Sequence, residues 1–242
     1  MMVSSGFFCL MMRPTSERNL FMEIRRKNSY EKLKKIVLTA VFAALAYICL
    51  FLTPFPKIAG FLTLDLKDAV ITLGAMFLGP ISAIVISLVV SLVEMVSISG
   101  TGFWGFLMNF LGSAVFGAVA SLIYKYRKTL FGGVLGLGCG AAAMVVVMIL
   151  SNLFITPIYL GQPRSAVIDL LPVLLTFNIM KGLLNAAIVL FLYKPVSNAL
   201  KAVRFIDRRA DERLTIDIKT LIIMICALGV AVISVLILLF AV

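Results

Sequence analysis

From about Leu170 to Leu192 the chain runs without a break through apolar residues, long enough to cross a bilayer, and Lys181 is the single charge in it. An ammonium group near the centre of a spanning helix costs on the order of 3 kcal/mol on insertion scales. Asn178, Lys181 and Asn185 stand at i, i+3 and i+7, so all three project from one helical face. That face has to look into a protein interior or a wet cavity. Its donors and acceptors suit a polar small molecule, and an internal helix–helix network is the competing reading.

Similar apolar runs fill most of the sequence. Hydrophobic residues make up 62% of the chain and charged residues 14%. Soluble domains are about 45–50% apolar, which places the chain in the bilayer. The runs are continuous, unlike the alternating pattern of a β-barrel, so helices are the expected spanning element. The fold expected is an all-α integral membrane protein. Six spans begin near residues 36, 64, 81, 103, 131 and 170, and a further one covers 218–242. Residues 1–35 read as a basic leader whose first 21 or so residues are weakly ordered or precede the true start near Met22. The six-helix unit then covers 36–195, and a basic linker covers 196–217.

The formal net charge of +11 does not point to nucleic acid, because of where the charges lie. Lysine and arginine gather before helix 1, at Lys125-Tyr126-Arg127-Lys128 and between Lys194 and Lys219, which are alternate loops. This is the positive-inside pattern of a multi-pass cell-membrane protein in contact with lipid. It predicts a cytoplasmic amino terminus and, with seven spans, an extracellular carboxyl terminus. The four cysteines are isolated and histidine is absent, which argues against a zinc site or histidine-based catalysis.

Several segments stand out along the chain. Ala40 and Ala44 form a small-xxx-small strip on helix 1, suited to close packing within this protein or against another membrane subunit. The outer loop of 54–64 is rich in apolar residues, including Phe55, Phe61 and Leu62, and reads as a lid folding back over a cavity. Asp65 and Asp68 sit in the first turn of a helix 2 expected to start at Leu64, where carboxylates favour the helix dipole; ligand contact is the other reading. Gly79-Pro80 is a tight turn. Glu94, buried in helix 3, needs a partner, and Lys67 or Lys181 is the expected one. Trp104 sits at an interface, as anchor or as a stacking platform. Asn109 and Ser113 share a face of helix 4 suited to helix–helix hydrogen bonding. The glycine-rich segment from Gly132 to Gly140 follows no strand, so it reads as close helix packing and not as a nucleotide loop. Helix 5 is expected to end near Ile155, with an outer loop over 156–168.

The segments Phe61-Leu62-Thr63-Leu64-Asp65-Leu66-Lys67-Asp68, Phe77-Leu78-Gly79-Pro80, Gly100-Thr101-Gly102, Asn109-Phe110-Leu111-Gly112-Ser113 and Phe177-Asn178-Ile179-Met180-Lys181-Gly182-Leu183 occur in that order. In order and spacing they resemble the substrate-binding S component of energy-coupling factor (ECF) vitamin transporters, and within it the riboflavin-specific branch. The resemblance implies a six-helix bundle that captures riboflavin from outside, beneath the loop after helix 1. It places polar ligand contacts on Asn152, Asn178 and Lys181, and docking of a membrane coupling subunit on Ala40 and Ala44. Two ATPase subunits would power uptake, and the chain itself carries no Walker motif. Phe61, Thr63, Leu64, Asp68, Glu94 and Trp104 complete the candidate ligand set. The long leader and the seventh span depart from the family.

The flat isoalloxazine ring has a polar edge that amides can both donate to and accept from, while a lysine offers donors only. The resemblance thus implies riboflavin as a transported ligand, with no resident cofactor, no metal and no enzymatic step expected. Alternative readings are an S component for another small vitamin, a stand-alone secondary carrier, and a lipid-directed enzyme whose metal would be held by Asp65, Asp68 and Glu94.

Overall fold

The computed structural model describes residues 15–52, 57–58, 62–98, 100–203, 205 and 229. It divides into two compact units, residues 1–38 and 39–242. Among the described residues there are six helices: α1 (Thr15–Leu52), α2 (Lys67–Leu78), α3 (Pro80–Ser97), α4 (Gly102–Tyr126), α5 (Leu130–Leu160) and α6 (Arg164–Ala202). A two-stranded antiparallel pair, β1 (Lys57–Ile58) and β2 (Leu62–Thr63), links α1 to α2, with Lys57 opposite Thr63 and Ile58 opposite Leu62. The first 14 residues and the seventh span expected at 218–242 lie outside the described residues, apart from Gly229. The first unit is the amino-terminal part of α1, where Arg25, Arg26, Lys27, Lys32 and Lys35 are all exposed.

In the second unit five helices are not equal partners. Four of them, α3 to α6, are long and apolar enough to cross a membrane, as is α1 taken from Met22. The exception is α2. Its 12 residues rise about 18 Å, well short of a hydrocarbon core of about 30 Å. It is enclosed instead: Lys67 through Ala75 are all buried, and α2 packs on α3, α4 and α6. Helix 2 therefore begins at Lys67 and not at Leu64: residues 64–66 are a non-helical connection that bends at Leu66 to lead the chain from β2 into the bundle.

Backbone proximity is set by small residues. A methyl group placed on Gly136 would lie 2.7 Å from the carbonyl oxygen of Ala120, and one on Gly140 would lie 2.8 Å from that of Phe116. These two glycines, four apart on α5, let α4 approach to backbone contact, as the packing reading of the glycine-rich segment requires. The ring of Phe42 on α1 covers Gly74 of α2, 2.7 Å from where a β-carbon would stand. The α2–α3 turn rests on Gly79, whose φ of 106° is left-handed territory, followed by Pro80 at the first position of α3.

The break between α5 and α6 differs from the sequence expectation. Thr156-Pro157 does not end α5, which continues to Leu160. A proline one turn from a helix end removes a single amide donor, a modest loss there. Termination comes at Gly161, in the left-handed conformation with φ 62°, and α6 starts at Arg164 after Pro163. The long outer loop expected over 156–168 is thus a short turn. At its far end α6 also runs past Pro195 to Ala202.

Candidate functional site

The buried polar groups of the bundle meet where β2 leads into α2. Lys67, at the first position of α2, is 0% exposed. Its ammonium nitrogen lies 2.5 Å from Glu94 Oε2 on α3 and 3.7 Å from Asp65 Oδ2. The same Asp65 oxygen accepts a hydrogen bond from Lys181 on α6 at 3.0 Å. Asp68 Oδ2 forms an ion pair with Lys181 at 3.1 Å. Ser113 on α4 donates to Asp68 Oδ1, and Asn109, one turn earlier on α4, donates to Glu94 Oε1 at 2.9 Å. Three carboxylates and two ammonium groups therefore form one connected cluster that joins α2, α3, α4 and α6. Burial pushes the Asp65 carboxyl up, but the ammonium groups of Lys181 and Lys67 outweigh it and hold the group below its ordinary range.

Asn185 locks this cluster to the backbone. Its Oδ1 accepts the amide hydrogen of Ala69 at 2.8 Å, and its Nδ2 donates to the carbonyls of Lys181 at 3.0 Å and Asp65 at 3.3 Å. The residue at the N-cap of α2 is Leu66, which has no side-chain capping bond. An amide from α6 thus does for α2 what a Ser or Asp cap does in a self-contained helix. Asp65 and Asp68 are engaged by lysines across the bundle, beyond any role at the helix dipole.

Beside the ionic cluster lies an apolar one. Leu62 and Leu64, both buried, fold back onto Val167, Leu174, Phe177 and Leu184 of α6, with Ile149 of α5 packed at the margin. Two amides border it. Asn178 donates to the carbonyl of Leu174 at 2.7 Å. Asn152 donates to the carbonyl of Met148 at 2.7 Å and accepts from Thr156 at 2.8 Å. Each amide thus spends one N–H on its own preceding turn, and its second remains as a donor.

Of the candidate residues from sequence, the structure joins Asp68, Glu94 and Lys181 in one hydrogen-bonded and ionic network. It sets Leu64, Asn178 and Asn152 in or beside the adjoining apolar cluster. Glu94 takes Lys67 as its partner, one of the two expected. Lys181 faces Asp65 and Asp68 at 3.0 and 3.1 Å, which leaves one of the three donors of its ammonium group beyond the two carboxylates. Trp104 is half-buried and meets the ring of Phe103 edge-on, at 5.8 Å between centroids; it does not enter the network of described residues. Thr63 contributes backbone to β2, and Phe61 lies outside the described residues. Ala40 and Ala44 are both exposed on α1. Asp65, Lys67 and Asn185 are central to the network but absent from the candidate ligand set; the signal for them was present, since all three are polar groups within or at the edge of apolar runs.

Residues 34–197 match the family described as ECF transporter, substrate-specific component. The chain belongs to this family. It is 27% identical over 187 residues to the riboflavin transporter RibU of Staphylococcus aureus (strain TCH60), an alignment that covers 74% of this chain and 98% of that protein. Its fold is similar to the solved structure reported as the structure and mechanism of the S component of a bacterial ECF transporter. The TM-score is 0.61 and the sequence identity 28%, over 70% of this chain and 99% of the other. This S component is accordingly a multi-pass membrane protein with the helical architecture of its family, as the sequence resemblance implies.

Proposed function

We propose that this S component captures riboflavin from the outer side of the membrane and hands it inward through a complex with a membrane coupling subunit and two ATPase subunits. The observation that carries the reading is similarity to a riboflavin transporter along 98% of that protein's length. The chemistry of the site supports it. Lys181, Asn178 and Asn152 supply fixed donors and amide acceptors for the polar edge and the ribityl chain of a flavin. Leu64 and its apolar neighbours supply surface for the ring faces. Few polar groups set in an apolar wall are what a small-molecule site requires. The amino terminus is proposed to be cytoplasmic and the carboxyl terminus extracellular.

The direct test is the purified protein itself. Flavin carried through purification is expected to colour it yellow, and riboflavin added to stripped protein should lose fluorescence saturably, without turnover. Lys181→Met should weaken binding about tenfold or more, the scale of one charge-assisted hydrogen bond. Stripped protein with no affinity for riboflavin but tight binding of another small vitamin would keep the family and change the ligand. Uptake that persists in cells lacking the coupling ATPases would overturn the assembly part of the proposal.

A further inference from the structure

The charges around Lys181 do more than hold it in place. The connected cluster contains Asp65, Asp68 and Glu94 against Lys67 and Lys181. Three carboxylates facing two ammonium groups leave no positive excess, whether Glu94 is ionised or carries a proton. Lys181 has two carboxylates within 3.1 Å, while the second lysine is itself engaged by Glu94 at 2.5 Å and Asp65 at 3.7 Å. The next basic side chain along α6 toward its start is Arg164, 17 positions away, or about 25 Å at helical rise. A ligand that reaches Lys181 therefore meets a hydrogen-bond donor whose charge is already answered.

We propose that Asp65 and Asp68 are specificity-determining residues: by cancelling the charge of Lys181 they make the site select an electroneutral, hydroxyl-rich ligand and reject its phosphate monoester. This rests on the riboflavin reading above and extends it to the charge state of the ligand. A phosphate near neutral pH carries close to two negative charges and three strong acceptors. Binding it in a buried site requires a surplus of fixed positive charge, as clusters of arginine or lysine provide elsewhere. Here it would lose its water and face carboxylates. A neutral flavin, in contrast, needs only directional donors, which Lys181 and the flanking amides retain. The selectivity thus comes from a repulsive element built beside the attractive one.

The experiment compares two ligands on three proteins. Riboflavin and flavin mononucleotide are titrated into the stripped wild-type protein, Asp65→Asn and Asp68→Asn, each shown by size exclusion and thermal unfolding to remain folded. Wild type is expected to favour riboflavin about tenfold or more, the effect of one unscreened charge at about 10 Å in a site of intermediate dielectric. Either substitution leaves the cluster one negative charge poorer, so the ratio of the two affinities should move toward the phosphate form by about tenfold. Asn at position 68 can still accept from Ser113, so a purely structural role would weaken both ligands alike and leave the ratio unmoved. Three outcomes overturn the proposal: equal affinity of wild type for both flavins, an unchanged ratio in a folded variant, or folded variants that bind neither flavin. Wild type binding no flavin at all would instead strike the riboflavin reading, and this inference would fall with it.

Discussion

Lys67 and Glu94 meet at 2.5 Å between α2 and α3, the lysine wholly buried and the carboxylate 8% exposed. A lysine at the start of a short internal helix is thereby tied to the middle of the bundle. Removing Lys67 leaves the buried Glu94 carboxylate with only the neutral Asn109 amide as its partner. Lys67→Met is expected to destabilise the protein by about 3–5 kcal/mol, the usual cost of an orphaned buried charge. Combining it with Glu94→Gln should recover a substantial part, because the stranded charge is then gone. Thermal unfolding of the four proteins of this cycle in one detergent checks both statements; additive losses would show that the two side chains do not act as a pair.

Asn185 offers a second test of the same junction. One amide caps α2 at Ala69 and holds the carbonyls of Asp65 and Lys181. Asn185→Ala leaves the buried Ala69 amide and Asp65 carbonyl without this partner, while the Lys181 carbonyl keeps its place in the α6 ladder, with an expected loss of about 1–3 kcal/mol. Asn185→Asp should be no better than alanine, since a carboxylate can accept from Ala69 but cannot donate to the two carbonyls, and it adds negative charge beside Asp65. Full stability of the aspartate variant would refute the donor role assigned to Nδ2.

The close approach of α4 and α5 predicts an asymmetry among glycines on one helix. Gly136 and Gly140 face backbone carbonyls of α4 at 2.7 and 2.8 Å from a notional β-carbon, whereas Gly138 has open space around it. Alanine at 136 or 140 should cost about 1–3 kcal/mol through forced separation of the helices. Alanine at 138 should be neutral or slightly stabilising through better helix propensity. Unfolding midpoints of the three single variants decide the matter, and equal effects would mean that the helix contact does not depend on these positions.

Much of this is legible in the sequence, and the reason is dielectric. A polar residue in an apolar run has few tolerable environments, so Lys181, Glu94 and Asn178 read as inward-facing, whereas Asn152 is singled out only by the family resemblance. The pairing among them was harder to read. The segment Leu64-Asp65-Leu66-Lys67-Asp68 looks locally like an ordinary helix start with acidic residues near the dipole. Only the tertiary structure shows that Asn185 takes over the capping and that the aspartates answer Lys181. Helix ends were misread for a related reason. Thr156-Pro157 is a strong local breaker signal, yet one missing donor near a terminus is tolerated, and the left-handed Gly161 four residues later is what stops the chain. The shortness of α2 is hidden in the sequence because residues 62–66 are mostly leucine yet form a short strand and a bend, not a helical turn.

The exposed strip on α1 yields the last prediction, which concerns the proposed assembly. Ala40 and Ala44 are one helical turn apart and both exposed, while their neighbours Phe42, Ala43 and Ala46 are buried against the bundle. Among the described residues the two alanines therefore present a smooth surface that packs against nothing in the bundle. A bulky side chain there has nothing internal to displace, so Ala40→Trp and Ala44→Trp should change the unfolding midpoint and the affinity for riboflavin little. If a coupling subunit packs its helices against this strip, the added bulk separates the backbones and forfeits the dispersion contacts on which association in lipid depends. Riboflavin uptake by cells and co-purification with the coupling subunit should then fall together in both variants. Normal uptake by a folded Ala40→Trp, Ala44→Trp double variant would place the docking surface elsewhere on the bundle.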